Sequence, residues 1–230
     1  MEQTVEMRII ARIRGDFDSK FGLPRQSGLV PALRSAVVFE PPYRDEDAVR
    51  GLSDYSHLWL LWCFSESIRE GWTATVRPPR LGGNRRMGVF ATRSPFRPNP
   101  IGLSSVSLKE IVFDEKEGPI LIIEGADLMD GTPIFDIKPY LAFTDSHPEA
   151  RGGFTADIAA YRLDVVFPAE LLAKVPAEKR AALQGVLAED PRPAYHEDPS
   201  RRYGLSFAGL DIGFKVKEKT LTVVDVKKTK

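Results

Sequence analysis

The sequence has a single cysteine, Cys63, and three histidines among its 230 residues. One thiol excludes an internal disulfide, and with three scattered histidines it does not supply the ligands of a zinc site. The longest apolar run is the seven residues from Leu58 to Phe64, far short of the roughly 18 that a membrane span requires. The first residues, MEQTVEMRII, also lack the basic and apolar regions of a signal peptide. We therefore expect a cytoplasmic protein that has no metal site and no contact with a membrane.

Several motifs that carry familiar enzyme chemistry are also missing. The chain contains no GxGxxG, no GxxxxGK[S/T], no HExxH and no GxSxG. These absences argue against a dinucleotide site of the usual kind and against a phosphate-binding P-loop. Any cofactor is therefore expected to be held by irregular loops rather than by a glycine-rich helix entry.

Negative charge is absent from one long stretch of the chain. The whole sequence has 32 Lys and Arg against 32 Asp and Glu, but the 39 residues from Gly71 to Lys109 include seven of the cations and none of the acids. Five prolines stiffen the same stretch. Because the arginine fork binds phosphates and carboxylates in pairs of hydrogen bonds and stacks on bases, the stretch predicts an anionic partner.

Short strands separated by turn signals dominate the first 145 residues. From Val5 to Ile13 apolar and charged side chains alternate, which is typical of a strand with one solvated face. Leu58 to Phe64 is apolar on both faces and predicts a central strand. Further strands are predicted at Ala36–Glu40, Met87–Thr92, Leu103–Phe113, Pro119–Glu124 and through Ile137. The pattern favours a mainly β fold whose core is a β-barrel, spanning residues 1–145.

Helical patterns are few, with one inside the predicted barrel and one after it. Asp45 to Leu52 predicts a short helix with Asp45 as its N-cap. Ala177 to Ala188 is the one well-formed helical stretch, and its expected buried side consists of Ala181, Ala182, Val186 and Leu187. Two strands, Leu205–Val216 with a glycine break and Thr220–Val226, follow a proline-rich connector. Residues 146–230 are therefore predicted to form a small α+β appendage that is a candidate for contact with the partner.

Four side chains in the first half of the chain have both a structural and a functional interpretation. Phe90 and Phe96 lie in the arginine-rich stretch and would suit base stacking, although core positions are the commoner fate of phenylalanine. His57 precedes an apolar strand and favours a structural role. Cys63 lies inside that strand and fits a small core residue.

Acidic residues after the predicted strand Pro119–Glu124 offer a second set of candidates. Asp127 and Asp130 flank a turn, and Asp130 in DGTP is also a common turn residue. Asp136, Lys138 and Tyr140 occupy alternate positions and therefore share one face of a predicted strand. An Asp136–Lys138 ion pair would by itself contribute little stability.

The run GVFATRSPFRPN, from Gly88 to Asn99, resembles the signature of the TsaA-like, TrmO family. Four other stretches resemble the family in the same order, namely SHLWLLW (56–62), VRPPRLGGN (76–84), DGTPIFDIKPY (130–140) and DPRPAYH (190–196). The resemblance extends over nearly the whole chain. It implies a homodimeric β-barrel enzyme that uses S-adenosylmethionine to methylate N6 of N6-threonylcarbamoyladenosine, the modified purine at position 37 of tRNA.

The resemblance also implies which residues hold the cofactor. These positions come from the loop after the first strand, the end of the Trp59 strand, the signature and the turn before DGTP. They are Pro24, Arg25, Gln26, Ser65, Glu66, Arg93, Leu103, Asp127, Leu128, Met129 and Asp130.

Methylation of a purine N6 that also bears a carbonyl group is expected to need a proton acceptor, because that nitrogen carries a comparatively acidic proton. Asp136 and Tyr140 are the candidates for this acceptor, and Asn99 is the candidate for orienting the N–H. Contacts with tRNA are expected from the cationic and aromatic positions Arg77, Arg80, Arg85, Arg86, Arg97, Lys138, Arg192 and Tyr195.

Two other functions are consistent with the same residues. The arginine-rich stretch alone equally supports a non-catalytic barrel that binds RNA. A methyltransferase of the same architecture that acts on a small carboxylate-bearing metabolite would also use such cations.

Overall fold

The structure is a computed structural model that describes residues 3–78, 85–158, 161–193 and 198–229. Its strands are β1 (Ala11–Arg14), β2 (Arg34–Phe39), β3 (His57–Cys63), β4 (Thr75–Val76), β5 (Met87–Gly88), β6 (Ile101–Asp114), β7 (Gly118–Glu124), β8 (Pro133–Pro139), β9 (Asp164–Val166), β10 (Tyr203–Phe207), β11 (Leu210–Lys217) and β12 (Thr220–Lys228). The helices are α1 (Ala142–Asp145), α2 (Ala169–Leu172) and α3 (Ala177–Ala188). None of the helices in these ranges is long and apolar enough to cross a membrane.

Six strands pair in the order β1-β2-β7-β6-β3-β8, and β8 returns to β1 so that the order closes into a barrel. Every pairing in this ring is antiparallel. The closing seam is short, because only Ala11 with Ile134 and Arg12 with Pro133 are partners there. The predicted mainly β class is confirmed.

The barrel core is made by the inward side chains of its strands. In β3 these are Leu58, Leu60 and Trp62, which are at most 9% exposed, while the side chains between them are half-buried or exposed. The strand lies between β6 and β8, so the predicted central position of this apolar run is confirmed. Burial of each such large apolar side chain contributes about 1.5–3 kcal/mol.

A second sheet, of order β10-β11-β12-β9, forms the C-terminal unit together with α3. The predicted bounds of α3 are confirmed. Its buried side chains are Ala182, Leu183, Val186 and Leu187, so Leu183 takes the place that Ala181 was expected to fill. The core of this unit also contains Phe17, Val30 and Leu33, which belong to the segment between β1 and β2.

Three predicted elements differ from the structure. The first strand begins at Ala11 rather than Val5, and Val5 and Met7 are exposed, because no neighbouring strand pairs with them among the described residues. The predicted strand from Met87 ends at Gly88 and continues as a 3-10 turn, Val89–Ala91. The predicted helix after Asp45 is two short 3-10 turns, although Asp45 does cap the first by accepting a hydrogen bond from the backbone N–H of Asp47.

One glycine in the barrel is required by close packing. Gly102 in β6 is the partner of Trp62 in β3, and a Cβ atom at Gly102 would lie 2.2 Å from the indole ring. No L-amino-acid side chain fits there unless Trp62 moves. The indole of Trp62 therefore lies directly against the backbone of β6 at one mouth of the barrel.

We expect Gly102→Ala to lower the free energy of unfolding by about 1–3 kcal/mol, because the added methyl overpacks the site. Urea denaturation monitored by circular dichroism measures the change. Gly204→Ala is the matched control, since Gly204 also lies in a strand and a Cβ there would meet nothing within 4 Å. Equal stability of the two variants would refute the packing constraint at Gly102.

Candidate active site

A cavity of about 430 Å³ opens at the mouth of the barrel where β3 ends and β6 begins. Besides Cys63 at the end of β3 and Leu103 near the start of β6, residues from four loop segments of the chain line this opening. Its walls come from residues 20, 23–26, 62–67, 92–93, 95, 97, 101–103, 127–129 and 132. A cavity of this volume is within the range of sites that hold small molecules and cofactors.

The structure brings ten of the eleven predicted cofactor residues to this cavity. They are Pro24, Arg25, Gln26, Ser65, Glu66, Arg93, Leu103, Asp127, Leu128 and Met129. The exception is Asp130, which is exposed and does not line the cavity. Its carboxylate accepts a hydrogen bond from the backbone N–H of Gly15 at 3.0 Å, and its own N–H donates to the carbonyl of Phe17 at 2.8 Å. As a correction, Asp130 fixes the turn against β1 instead of facing the cavity.

A chain of hydrogen bonds runs along the inner wall of the cavity. The indole Nε1–H of Trp62 donates to Ser104 Oγ at 3.0 Å, and the Ser104 hydroxyl donates to Asp127 Oδ1 at 2.6 Å. Ser104 is only 1% exposed, so both bonds are shielded from water. The chain connects the packing of Trp62 to the position of the Asp127 carboxylate.

The surroundings of Asp127 shift the pKa of its carboxyl group. Burial raises the pKa of its carboxyl group above the usual value, while the hydrogen bond from Ser104 and the charge of Arg93 act in the opposite direction. The charged form therefore gains stability from any additional donor or cation that enters the cavity. Asp127 is suited to receive a ligand ammonium or hydroxyl group.

Polar contacts tie the loops together across the opening. Arg93 donates from Nη1 to the side-chain oxygen of Gln26, and Lys20 donates from Nζ to the carbonyl of Glu66 at 3.3 Å. The Glu66 carboxylate is exposed at the rim and makes no ion pair with a described side chain. Glu66 therefore remains available to a ligand.

The C-terminal unit contacts the cavity wall through Arg25. Its Nη2 donates to the carbonyl of Asp190 at 3.5 Å. The Asp190 carboxylate in turn accepts two hydrogen bonds of 2.8 Å from Arg192 and one of 3.2 Å from Tyr161. Arg192 is thus a correction, because its largely buried guanidinium holds Asp190 instead of facing solvent as a tRNA contact would require.

The three predicted catalytic residues lie outside the cavity lining. Asp136 is opposite Leu61, which is opposite Leu103, so Asp136 shares the outer sheet face with a cavity residue at two strand spacings, or about 10 Å. Its carboxylate pairs with Lys138 at 2.9 Å. Asn99 is exposed in the turn before β6.

Tyr140 is separated from the cavity by the length of β3. Its N–H donates to the carbonyl of His57, and its ring packs against Trp59 at 5.5 Å and His57 at 6.1 Å. Six residues of extended strand, about 20 Å, separate His57 from Cys63 at the cavity. The structure therefore corrects the catalytic assignment of Tyr140, which has a packing role.

The predicted tRNA contacts have diverse surroundings. Arg77, Arg85 and Arg86 are exposed beside the two-stranded β4–β5 sheet. None of these three forms an ion pair with a described acidic residue. Arg80 and Tyr195 lie outside the described residues.

Arg97 has a structural task at the rim of the cavity. Its Nη1 donates to the carbonyls of Val89 at 3.3 Å and Thr92 at 2.7 Å, which holds the 3-10 turn between them. The other predicted cation, Lys138, is held by Asp136 and is exposed. Among the described residues no three His, Cys, Asp or Glu side chains are grouped so as to hold a metal ion.

Comparison with known families assigns both parts of the chain. Residues 12–146 match the tRNA-methyltransferase O N-terminal domain, and residues 160–229 match the TrmO C-terminal domain. The chain belongs to the TrmO family. The family resemblance read from the sequence is confirmed.

Relatives in the TrmO family match most of the chain. The tRNA (adenine(37)-N6)-methyltransferase of Escherichia coli K12 is 46% identical over 215 residues, which cover 90% of this chain and 91% of that protein. The enzyme of the same name from Eikenella corrodens is 45% identical over 173 residues, covering 74% and 96%. A crystal structure of TrmO from Pseudomonas aeruginosa has a TM-score of 0.80 and 33% identity, and 99% of each chain is covered.

The TrmO-like signature, residues 88–99, forms one rim of the cavity. Thr92, Arg93, Pro95 and Arg97 of this segment all line it. The sequence motif thus coincides with the part of the wall that contacts Gln26 through Arg93. Ser104 was missed in the sequence because a single serine in a strand carries no pattern, and only its inward register beside Trp62 distinguishes it.

Ser104→Ala is expected to lower the free energy of unfolding by about 1–3 kcal/mol, because it leaves Trp62 Nε1–H and the Asp127 carboxylate without this partner. Thermal and urea unfolding measure the loss. Ser105→Ala is the control, since the neighbouring hydroxyl makes no hydrogen bond to a described residue and points to the other face. Equal losses in both variants would show that the hydrogen-bond chain does not stabilise the cavity wall.

A pH dependence follows from the raised pKa of Asp127. The buried carboxyl favours its neutral form, so its contribution to folding is full below the unfolded pKa and is lost as the pH rises through the folded pKa. Asp127→Asn keeps an acceptor for Ser104 but does not ionise. We therefore expect the stability of the variant relative to the native protein to increase from acid to neutral pH in urea titrations.

Asp114→Asn provides the control of opposite sign. Hydrogen bonds from the backbone N–H groups of Glu117 and Lys116 lower the pKa of Asp114, so its contribution is present above the unfolded pKa and is lost as the pH falls. This variant should lose relative stability from acid to neutral pH. The same trend in both variants would contradict the assigned direction for Asp127.

Proposed function

We propose that this chain transfers a methyl group from S-adenosylmethionine to N6 of N6-threonylcarbamoyladenosine at position 37 of tRNA. The observation that supports it most directly is the cavity at the barrel mouth, where the family signature meets Asp127 and Arg93. Membership of the TrmO family and the names of its relatives support methylation of adenine 37 in tRNA. A homodimer in the cytoplasm is part of the same proposal.

The cavity suits a ligand that has both polar and apolar parts. Leu103, Leu128 and Met129 offer apolar surface for a purine and a methionine chain. Asp127 and Glu66 offer carboxylates for ribose hydroxyls or an ammonium group, and their pairing with such donors would offset the burial of Asp127. The residues present therefore fit S-adenosylmethionine.

The described residues would contribute chiefly by positioning. When bound, S-adenosylmethionine supplies an electrophilic methyl group on a sulfonium centre. The Arg93–Gln26 contact holds two walls of the cavity in place, and near-attack alignment of two reactants is worth about 7–11 kcal/mol. Lys20 adds a contact between the loops through the carbonyl of Glu66.

A proton must leave the target nitrogen during the transfer. Asp136 is the proposed acceptor, because it is a carboxylate that is 43% exposed on the outer sheet face, about 10 Å from the cavity residue Leu103. Asn99 is proposed to orient the N–H through its amide oxygen. Lys138 pairs with Asp136 at 2.9 Å, and this contact would orient the carboxylate until substrate arrives.

The surface beside the cavity suits a polyanion. Arg77, Arg85 and Arg86 are exposed in the stretch that contains no acidic residue. Phosphates of an anticodon stem-loop would neutralise these cations and release counterions, which makes binding sensitive to salt. Arg25 and Arg93 at the cavity are natural receptors for the threonyl carboxylate.

A methyl-transfer assay tests the proposal. The protein is incubated with S-adenosylmethionine labelled in its methyl group and with tRNA that either contains or lacks the threonylcarbamoyl group. We expect label only in the modified tRNA. Label in both tRNAs would contradict the proposed substrate while retaining adenine methylation, and label in neither would refute the activity and leave an RNA-binding barrel.

We expect Asp136→Ala to reduce turnover about 100-fold or more, as loss of a general base does, with little change in the affinity for S-adenosylmethionine. Single-turnover methyl transfer and calorimetric binding measure the two effects. Tyr140→Phe is the control, because the ring packing persists and the hydroxyl is remote from the cavity. Normal turnover in Asp136→Ala would remove this residue from the mechanism.

A further inference from the structure

Three large aromatic side chains are exposed next to the cavity. Trp72 is 50% exposed, Phe90 is 71% exposed and Phe96 is 41% exposed. The expectation that Phe90 and Phe96 belong to the core is therefore wrong. A cluster of exposed aromatic rings marks a surface that binds something.

The rings and two arginines form two groups, which are joined by the chain at Phe96 and Arg97 and by a 3.5 Å hydrogen bond from Arg69 to Thr73 Oγ1, next to Trp72. The centroids of Trp72 and Phe90 are 6.0 Å apart with planes inclined at 34°. The guanidinium carbon of Arg69 lies 4.4 Å from the centre of the Phe96 ring, and that of Arg97 lies 5.9 Å from the centre of the Phe90 ring. We call Trp72, Phe90 and Phe96 the aromatic rim.

Backbone contacts hold the aromatic rim in place before any ligand binds. The N–H of Val89 donates to the carbonyl of Ala74 at 2.9 Å, which joins the segment of Phe90 to that of Trp72. Arg97 closes the turn that displays Phe90 through the carbonyls of Val89 and Thr92. The backbone of the turn that displays Phe90 is therefore held before binding, which lowers the entropy cost of ordering this loop.

Charge decides which partner fits this surface. Neither Arg69 nor Arg97 forms an ion pair with a described acidic residue. The nearest acid in the sequence is Glu70, and the 39 residues that follow it contain none. Flat rings among guanidinium groups that have no acidic partner match unpaired nucleotides, because each nucleotide has a base that can stack and a phosphate that carries negative charge. An apolar protein partner would leave these cations without counter-charge.

The aromatic rim also adjoins the reaction site. Pro95 and Arg97, on either side of Phe96, line the cavity. A base stacked on Phe96 would therefore be placed within a residue or two of the cavity wall. This arrangement would hold an extruded nucleotide of a loop, since stacking replaces the neighbours that the base loses.

We propose that Trp72, Phe90 and Phe96 form a stacking platform for the unpaired bases of the RNA loop that contains the target adenosine. This inference rests on the proposed function, and it assigns to Trp72 and Arg69 a role that the phosphate-binding arginines do not cover. Direct stacking contributes about fivefold to 100-fold in affinity per base.

The test compares two synthetic anticodon stem-loops of one sequence, one with its loop bases and one with abasic loop sugars and intact phosphates. The native protein should bind the natural loop at least about tenfold more tightly than the abasic loop. A Phe90→Leu, Phe96→Leu variant should lose most of that preference and keep the salt dependence of binding, because its arginines are unchanged. Phe113→Leu is the control, since Phe113 is 57% exposed on the distant β6–β7 hairpin.

Trp72 supplies an independent readout. Of the three tryptophans, Trp62 is 9% exposed and Trp59 is half-buried, so fluorescence changes caused by a surface ligand should come mainly from Trp72. The natural loop should quench this fluorescence and the abasic loop should not. Trp72→Phe should abolish the quenching while circular dichroism shows an unchanged fold.

Three results would overturn the stacking platform. They are equal affinity of the native protein for both loops, an unaltered preference in the double variant, and dissociation of an oligomer by the double variant in light scattering without an effect on RNA binding. The last result would assign the surface to a second copy of the chain. Methyl transfer to tRNA by the native protein in the same experiments would show that the proposed function survives, whereas its absence would be a failure of the function itself.

Discussion

The contact between Trp62 and Gly102 is the constraint on which the candidate site depends. An indole can lie against the β6 backbone only because its partner residue has no Cβ, and from that position its N–H reaches Ser104. Ser104 in turn fixes the carboxylate of Asp127. The packing of Trp62 against Gly102 therefore sets the position of the Asp127 carboxylate, which a ligand would contact at the mouth of the barrel.

The site separates a buried negative charge from exposed positive charges. The acid is inside, where low polarity raises its pKa and makes it responsive to a cation or a hydroxyl donor. Arg77, Arg85 and Arg86 lie outside the cavity, on a stretch without acidic residues, where solvent moderates their mutual repulsion. A cationic ligand and a polyanionic one can thus occupy adjacent places without competing for the same charges.

Local patterns predicted much of the fold, including α3 and the central strand β3, because both depend on neighbouring residues in the chain. Ten of the eleven cofactor residues that the family resemblance implied do line the cavity. Strand register and long-range packing could not be predicted from local sequence patterns. They place Tyr140 at the end of β3 that is remote from the cavity, turn Asp130 toward Gly15 and leave Phe90 exposed. In each case the residue type was suggestive, and only the three-dimensional neighbours decided its surroundings.

The segment between β1 and β2 belongs to two parts of the molecule at once. Phe17, Val30 and Leu33 complete the C-terminal core, and a Cβ at Gly22 would lie 2.1 Å from the Leu205 side chain. The same segment presents Arg25 to the cavity. The two matched regions are therefore not independent domains. Separating them would remove apolar partners from the core of the C-terminal unit, and it would leave the loop that carries Arg25 without its packing against that unit. A substitution in the C-terminal core would therefore also shift the loop that carries Arg25, so the C-terminal unit and the cavity wall are expected to change together in evolution.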